Sequence, residues 1–565
     1  MTSITYVTLI VRENMKSHAS LSSPAAGMPP EPALTTRTVS SRGLGTSHTG
    51  SSNDAGSLKA ARWRDFWWIV AVGLVTAALC VPLIRYVWFL GDEGVLLHGA
   101  ERMLRGEKIY IDFFEFLPPG GFMIMEGWFG IAGMSLLSAR VMAILTIVGI
   151  SCFTYLACRQ ASKNPQLSAL IAIGLTIVSQ GDWTQISHHW FTTLLSMIVA
   201  WAALASVEHV RPWRLGPLTA GIAAGAAVMV TPNRGALVML AAATAFLNFR
   251  RYRSELLIYA LASALIPICL IAYVIERGAL MAAVDDVILA TAARYTIPNS
   301  VPFGFGGAGY HLRWIFPFAA LIPLPTFVRD WRNCLHDRVF RTCVALALAG
   351  FIGCFPRPDM LHIAISAPLV CPLLAYGVNR LVRPWPVKYQ YAVAALAIAS
   401  LIPSARVLRW TSEKAQEGIV APMPRGDIMS PASGMQELAA QIAATPPGDA
   451  YFFYPYDAML PFLTARRHVA RYDIFTPGWT LPSQYQEACV SAMRGASWVV
   501  IDREKTDPKW LKHVFPSSPA PQPRETTRFE QALETGFEFV AREGPFELRH
   551  RVPGANERLC SSIAE

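Results

Sequence analysis

The chain has 565 residues, of which 53% are hydrophobic and 16% charged, with a formal net charge of +10. Soluble domains carry about 25% charged residues; the mean hydropathy of +0.34 and several apolar runs of spanning length exclude that class and indicate a polytopic membrane protein. The basic residues are scattered through short inter-helix loops rather than gathered in one tract, which excludes nucleic acid as a partner.

Residues 1–60 are rich in Ser, Thr, Gly, Ala and Pro, lack the pattern of a packed core and read as a disordered cytoplasmic tail. The run YVTLIV within it is too short for a signal-peptide core, and Met15 and Met28 are alternative starts. A first span is predicted at 66–89. Lys59, Arg62 and Arg64 precede it, which keeps the N-terminus cytoplasmic and brings Gly91 out on the other side. The next apolar segment, 118–138, is Gly-rich and contains Glu126. Read as interfacial rather than spanning, it puts the basic loops on one face. The cytoplasmic loops then hold Arg159 and Lys163; Arg211 and Arg214; Arg250, Arg251 and Arg253; Arg329, Arg332, Arg338 and Arg341; and Arg380, Arg383 and Lys388. The short outer loops hold only Arg234 and Arg357. The spans expected on this reading are 66–89, 139–158, 166–180, 190–208, 215–231, 235–249, 255–276, 313–328, 340–355, 360–379 and 389–404, about eleven in all, so the C-terminus lies outside.

From 405 the composition changes. A polar, loop-like stretch gives way to strand-like runs at 451–455, 469–473 and 498–502, alternating with helical patterns at 434–445 and 482–494. The region 405–565 is therefore expected to be a small extracytoplasmic α/β domain, beside a membrane catalytic domain over 61–404. The ten cysteines show no CxxC spacing, and eight fall in or beside apolar segments. Cys489 and Cys560 lie in the C-terminal region, and their pairing stays open.

With this topology the conspicuous polar residues fall at one mouth. The first outer loop holds Asp92, Glu93, His98, Tyr110, Asp112 and Glu115; the second, Asp182, His188 and His189; the third, Asn233 and Arg234. The fourth holds Asp285, Asp286, Arg294 and Tyr295, and the fifth Arg357, Asp359 and His362. Such a gathering points to a cavity open to the outer leaflet. Each member also has a plain structural reading. Asp92 fits an N-cap with Glu93 at the positive helix end. Asp112 and Glu115 fit solvated interfacial residues. Adjacent His188 and His189 converge poorly on one ion. Asp359 fits a cap on MLHIAIS that also pairs with Arg357. GFGGAG at 304–309 matches a dinucleotide fingerprint by letters but sits in an outer loop without a βαβ unit, and no Walker A, HExxH or GxSxG motif occurs. The activated group must come from something other than a cytoplasmic nucleotide, and a lipid-linked donor suits an outward cavity.

Four phrases, in this order, resemble the GT-C superfamily of membrane glycosyltransferases. They are DEG after the first span, RGEKIYIDFFEFLPPG, VTPNRGALVML and RPDMLHIAISAPLV. The likeness is to the branch of protein mannosyltransferases, aminoarabinose transferases and rhizobial lipopolysaccharide core transferases, and it covers roughly 65–475. Pro232–Asn233–Arg234 departs from the usual basic turn. The resemblance implies a GT-C-like helical fold with interfacial helices in the first outer loop, a bacterial inner-membrane location, a polyprenyl-phosphate sugar donor, surrounding membrane lipid, and a glycan, lipid or protein acceptor. Asp92 matches the family's acidic residue and is the expected general base, with Glu93 orienting the acceptor. Arg357, then Arg234, Arg294 and His362, are expected at the donor phosphate. Tyr110, Asp112, Glu115, His188 and His189 are expected at the acceptor or sugar. One carboxylate with a cationic clamp implies inversion; Asp112 as a nucleophile for retention stays open. No cofactor is assigned, and a divalent cation beside Glu93 stays open. The rivals are an O-antigen ligase or polymerase using a pyrophosphate-linked glycan, and a lipid or glycan transporter, which predicts repeats and midplane polar residues not found here.

Overall fold

The computed structural model describes residues 51–87, 89–180, 184–208, 214–247, 253–306, 312–518 and 523–564. The expected tail lies outside the described residues as far as residue 50, as do Asp182, Arg211, Arg250 and Arg251; the first described helix begins at Ser51, within the expected tail. Residues 1–60 and 61–565 are separate units, and all features below belong to the second.

Among the described residues six helices are long and apolar enough to cross a membrane: Trp63–Leu83, Leu136–Ser162, His188–Val207, Arg253–Glu276, Met360–Val382 and Val387–Gln416. Each overlaps an expected span. The other five expected segments are helical but shorter. Segments 166–180 and 215–231 are Pro165–Ser179 and Leu215–Val228. Segments 235–249 and 340–355 are Pro232–Phe246 and Arg338–Ile352, 15 residues each, or about 22 Å against a hydrocarbon core of about 30 Å. The expected span 313–328 divides into Ile315–Leu321 and Leu324–Arg329 around Pro323, whose ring cannot occupy a helix interior without losing a hydrogen bond. The segment 118–138 contains the helix Gly120–Ala132, whose 13 residues reach about 20 Å and cannot cross. Its C-cap Gly133 turns the chain at φ 80°, and Ser135 then caps the next helix by accepting from Ser138 N at 3.1 Å.

The helices bury small side chains against one another. The membrane core is dominated by alanines from Ala157 to Ala245, together with Trp190, Phe246 and Tyr376. Packing of this kind, rather than transfer out of water, holds membrane helices together. At Gly225 a Cβ would fall 2.3 Å from Ser263 O, so only glycine lets these two helices touch.

The final span does not stop at 404. After a break at Leu401 its helix runs on to Gln416, correcting the loop expected there. Beyond it, β1 (Ile419–Ala421) and β2 (Ile428–Ser430) form an antiparallel hairpin. β2 also fastens to the exit of the first span, through Val87 N→Met429 O at 3.0 Å and Met429 N→Arg85 O at 2.8 Å. β3 (Tyr451–Tyr454), β4 (Trp498–Asp502), β5 (Phe537–Glu543) and β6 (Phe546–Arg551) form one sheet in the order β3-β4-β6-β5. β3 and β4 are parallel; β4–β6 and β5–β6 are antiparallel. The helices Met435–Ala444 and Pro482–Gly495 match expectation. The run 469–473 is not a strand. Its polar groups turn inward instead: Ala470 O accepts from Arg102, Tyr472 O faces His468 Nε2, and Asp473 pairs with His98. Cys489 and Cys560 are disulfide-bonded, joining the Pro482–Gly495 helix to the last turn.

One apolar core is shared by the first outer loop and the C-terminal region. It unites Val95, Leu96, Phe113 and Phe122 with Met459, Phe462, Val500 and Leu548. The change at about 404 is thus a change of element type within a common core. The contact is closest at Gly94, where a Cβ would lie 2.0 Å from Met459 N and 2.3 Å from Ala458 C. Gly94→Ala must push these backbones apart. It is expected to destabilise the protein by about 3 kcal/mol or more, read as a lower melting temperature of the detergent-solubilised protein, whereas Gly130→Ala, with open space around it, should not.

Candidate active site

Asp92 is the first residue of the Asp92–Leu104 helix. The cap is Gly91, without a side-chain bond, so Asp92 is not an N-cap. Consecutive helical side chains point about 100° apart, and here the two acids separate completely. Glu93 turns into the protein, 1% exposed. It pairs with the fully buried Arg140 of the second span and accepts from Ile186 N at 2.9 Å. Arg140 also donates to Tyr86 O at 3.2 Å. Asp92 turns the other way, into a cleft.

That cleft is lined by Asp92, Val95, Leu96, Phe116, Leu117, Phe122, His188, Tyr456 and Ile474. The Tyr456 hydroxyl donates to Asp92 Oδ1. Phe116 leads into an aromatic group, with Tyr295 stacked at 5.8 Å and Trp479 edge-on at 4.7 Å. Burial pushes the Tyr295 hydroxyl up to about 12; Arg357 opposes, and Asp92 and Asp359 add to it. Tyr456 likewise feels both Asp92 and Arg357. Asp92 and Arg357 therefore act on the same mouth.

The cationic side is built on helix beginnings. His188 and His189 open one helix, Arg234 is third in Pro232–Phe246, and His362 is third in its own. Their positive dipole ends favour an anion. The rings of His188 and His189 are 3.9 Å apart, and His189 meets His362 edge-on at 5.0 Å. Arg234, 6% exposed, donates to Ser366 Oγ at 2.7 Å and lies within electrostatic reach of His188 and His189. Arg357 donates to Asp359 Oδ2 at 2.7 Å and to Val514 O at 2.9 Å. Asp359 caps the helix through His362 N at 3.0 Å and meets His362 Nδ1 at 2.7 Å, so it acts as both cap and Arg357 partner. These contacts pull the Asp359 carboxyl down to about 2 despite its burial. Arg234 Nη1, Arg357 Nη1 and His189 Nδ1 are buried without a hydrogen-bond partner among the described residues. Unmatched N–H groups such as those of the two guanidinium groups are costly to bury and favour an anion beside them.

Other expected site residues serve the loop. Tyr110 is fully buried, and its hydroxyl donates to Leu117 O at 2.7 Å. Asp112 is exposed and accepts from Lys108 N at 2.6 Å, closing its own turn. Neither lines the cleft. Arg294 donates to Trp479 O at 3.3 Å, bracing the aromatic group rather than joining Arg234 and Arg357. Glu115 is 2% exposed rather than solvated. Burial holds its carboxyl well above the usual carboxylate range; Asp473 adds to this, Arg102 opposes, and Asp286 adds again. Beside it, His98 Nδ1 meets Asp473 Oδ2 at 2.9 Å, and the His98 and His468 rings lie 6.1 Å apart. His468 Nδ1 accepts from Phe453 N at 3.3 Å, which leaves its proton on Nε2 facing Tyr472 O at 3.1 Å. Among the described residues no group of three or more His, Cys, Asp or Glu side chains is placed to hold a metal ion.

No protein-family profile and no curated protein matches the sequence. Two solved structures of ArnT from Cupriavidus metallidurans do match in fold. One is bound to undecaprenyl phosphate (TM-score 0.53, 14% identity, 86% of this chain and 98% of that one). The other is in the apo state (TM-score 0.50, 13% identity, 88% and 99%). This chain has the ArnT fold. Arabinofuranosyltransferase AftD from Mycobacteria aligns with a TM-score of 0.48 at 13% identity, over 87% of this chain and 40% of that one.

Within this ArnT-like fold, Tyr456, Trp479, Arg140 and Lys505 were not singled out by sequence. A signal for two of them exists. Tyr456 and Lys505 follow the carboxyl ends of the parallel pair β3 and β4, the end where open α/β sheets place their ligands.

Asp286 supplies a pH test. Arg471 lies 3.6 Å away, too far for a hydrogen bond, and burial pushes the Asp286 carboxyl up to about 6. A raised carboxyl favours the folded state below its ordinary value of about 4, and that contribution disappears as pH rises through about 6. Wild type is expected to lose melting temperature relative to Asp286→Asn between these two values, with the curves running parallel above.

Proposed function

We propose that this integral membrane protein transfers a sugar from a polyprenyl-phosphate donor to an acceptor hydroxyl at the extracytoplasmic face of a bacterial plasma membrane. The observation that carries the reading is a cleft lined by the Asp92 carboxylate, His188 and Tyr456, with the Arg234 guanidinium within electrostatic reach of His188 and that of Arg357 within reach of Tyr456, each arginine holding a buried N–H without a partner among the described residues. The ArnT fold, in a protein that binds undecaprenyl phosphate, supports the ligand class. The disulfide supports an oxidising compartment for the C-terminal region.

Asp92 takes the acceptor proton as the hydroxyl oxygen attacks the anomeric carbon. The bond from that carbon to the phosphate oxygen breaks, and the prenyl phosphate leaves as an anion needing no general acid. Arg234 and Arg357 receive the charge it gains, and His188, His189 and His362 complete that wall. Glu93, neutralised by Arg140, fixes the helix behind Asp92. With Asp112 engaged in its own turn, Asp92 is the one carboxylate lining the cleft among the described residues, which supports single displacement with inversion.

The test uses purified protein in lipid with a panel of radiolabelled polyprenyl-phosphate sugars and membrane extract as acceptor. Asp92→Asn should retain donor binding and lose transfer by about 10²-fold or more. Arg234→Gln and Arg357→Gln should each weaken donor binding by about 10- to 100-fold. Wild type that neither binds nor turns over any such donor would sink the reading; Asp92→Asn transferring at the wild-type rate would remove Asp92 as the base.

A further inference from the structure

We infer that the C-terminal region supplies part of the active site, with the Tyr456 hydroxyl acting as a positioning group for the Asp92 carboxylate. The inference rests on the sugar-transfer reading for its chemistry, but its geometry stands alone. Tyr456 lies 364 residues from Asp92 in sequence and donates directly to its Oδ1. Both residues line the same cleft.

Tyr456 is held from both sides. On the first-loop side its ring meets Phe89 edge-on at 5.4 Å, and Met459 N donates to Leu90 O at 2.8 Å. On the C-terminal side its carbonyl accepts from Lys505 Nζ at 3.0 Å. Lys505 is 7% exposed and joins Asp457 to Asp502, 1% and 3% exposed. The ammonium also lies 5.2 Å over the Phe89 ring. A buried ion-pair group thus fixes the backbone of the residue whose hydroxyl meets the base. Such investment is hard to explain by packing alone, because a phenylalanine would fill the same space.

A donor on one carboxylate oxygen leaves the other for the acceptor and favours the charged form needed by a base. Burial, reinforced by Asp92, holds the Tyr456 phenol well above its usual range, so it stays a donor. The other groups around Asp92 are Tyr295 and His188 at the cleft, Arg357 beyond Tyr295, and the Glu93–Arg140 pair behind the helix.

The decisive experiment is an infrared pH titration of the full protein in lipid, with the Asp92 carboxyl band assigned by its loss in Asp92→Asn. In Tyr456→Phe the band should titrate about one to two pH units higher. The acid limb of kcat should move with it, and kcat should fall about tenfold with the donor KM unchanged. Lys505→Gln, which loosens Tyr456 from the backbone side, should shift the band in the same direction by less, and it serves as the reading should Tyr456→Phe not fold. An Asp92 band that titrates as in wild type in the folded variants overturns the inference. A shifted band in a protein that transfers no prenyl-phosphate sugar leaves the positioning intact and removes the functional reading instead.

Discussion

The buried pair between Glu93 and Arg140 is the constraint on which the site depends. Two ionised groups at 1% and 0% exposure incur a large desolvation cost, and a pair of this kind is not kept for stability alone. What it fixes here is rotation. With Glu93 tied to the second span and to Ile186 N, the helix beginning at Asp92 has a single azimuth, and the neighbouring acid must face the cleft. The adjacent acids at the end of the first span therefore have separate duties, one inside the scaffold and one at the mouth.

From that fixed helix the site is assembled out of distant pieces. The carboxylate comes from the first loop, the imidazoles and the Arg234 guanidinium from the starts of three later helices, the Arg357 guanidinium from the turn before the last of these, and a phenol from beyond β3. Low-dielectric surroundings strengthen each of these contacts. Against the effect of burial, the part-buried Asp359 and the buried Asp473 are held below the usual carboxylate range by their neighbours, His362 and Arg357 for the first, His98, His468 and Arg102 for the second. Glu115 is held well above the usual carboxylate range by burial, with Asp473 adding to it and Arg102 opposing.

Local features were legible in the sequence, and long-range ones were not. Apolar runs located helix at each of the eleven expected segments, six of them long enough to cross a membrane and one divided in two, since hydropathy is read residue by residue. The Asp359 cap on His362 spans three positions and was visible. Asp92 and Glu93 stood out too, as charge at a span end, but that one enters the cleft and the other the protein interior depends on Arg140, 47 residues from Glu93. The strand expected at 469–473 has the right residue types, yet its carbonyls and Asp473 are claimed by Arg102, His468 and His98 from other segments. No periodicity encodes that. The continuation of the last helix to Gln416 was hidden by its polar composition, which hydropathy reads as loop. Tyr110 resembled a binding residue because its hydroxyl acceptor, the Leu117 carbonyl, is a backbone atom without a signature.

The contact at Gly94 also bears on how such a protein is divided. The first-loop helix rests on the Ala458–Met459 backbone with no room for a methyl group, and the two regions share one core. The C-terminal region is therefore not a detachable module, whatever its separate sheet suggests. A chimera that replaced residues 405–565 alone would mate a foreign surface to this helix. The smallest exchangeable piece is discontinuous: the loop from Gly91 to Ser135 together with the sheet that covers it.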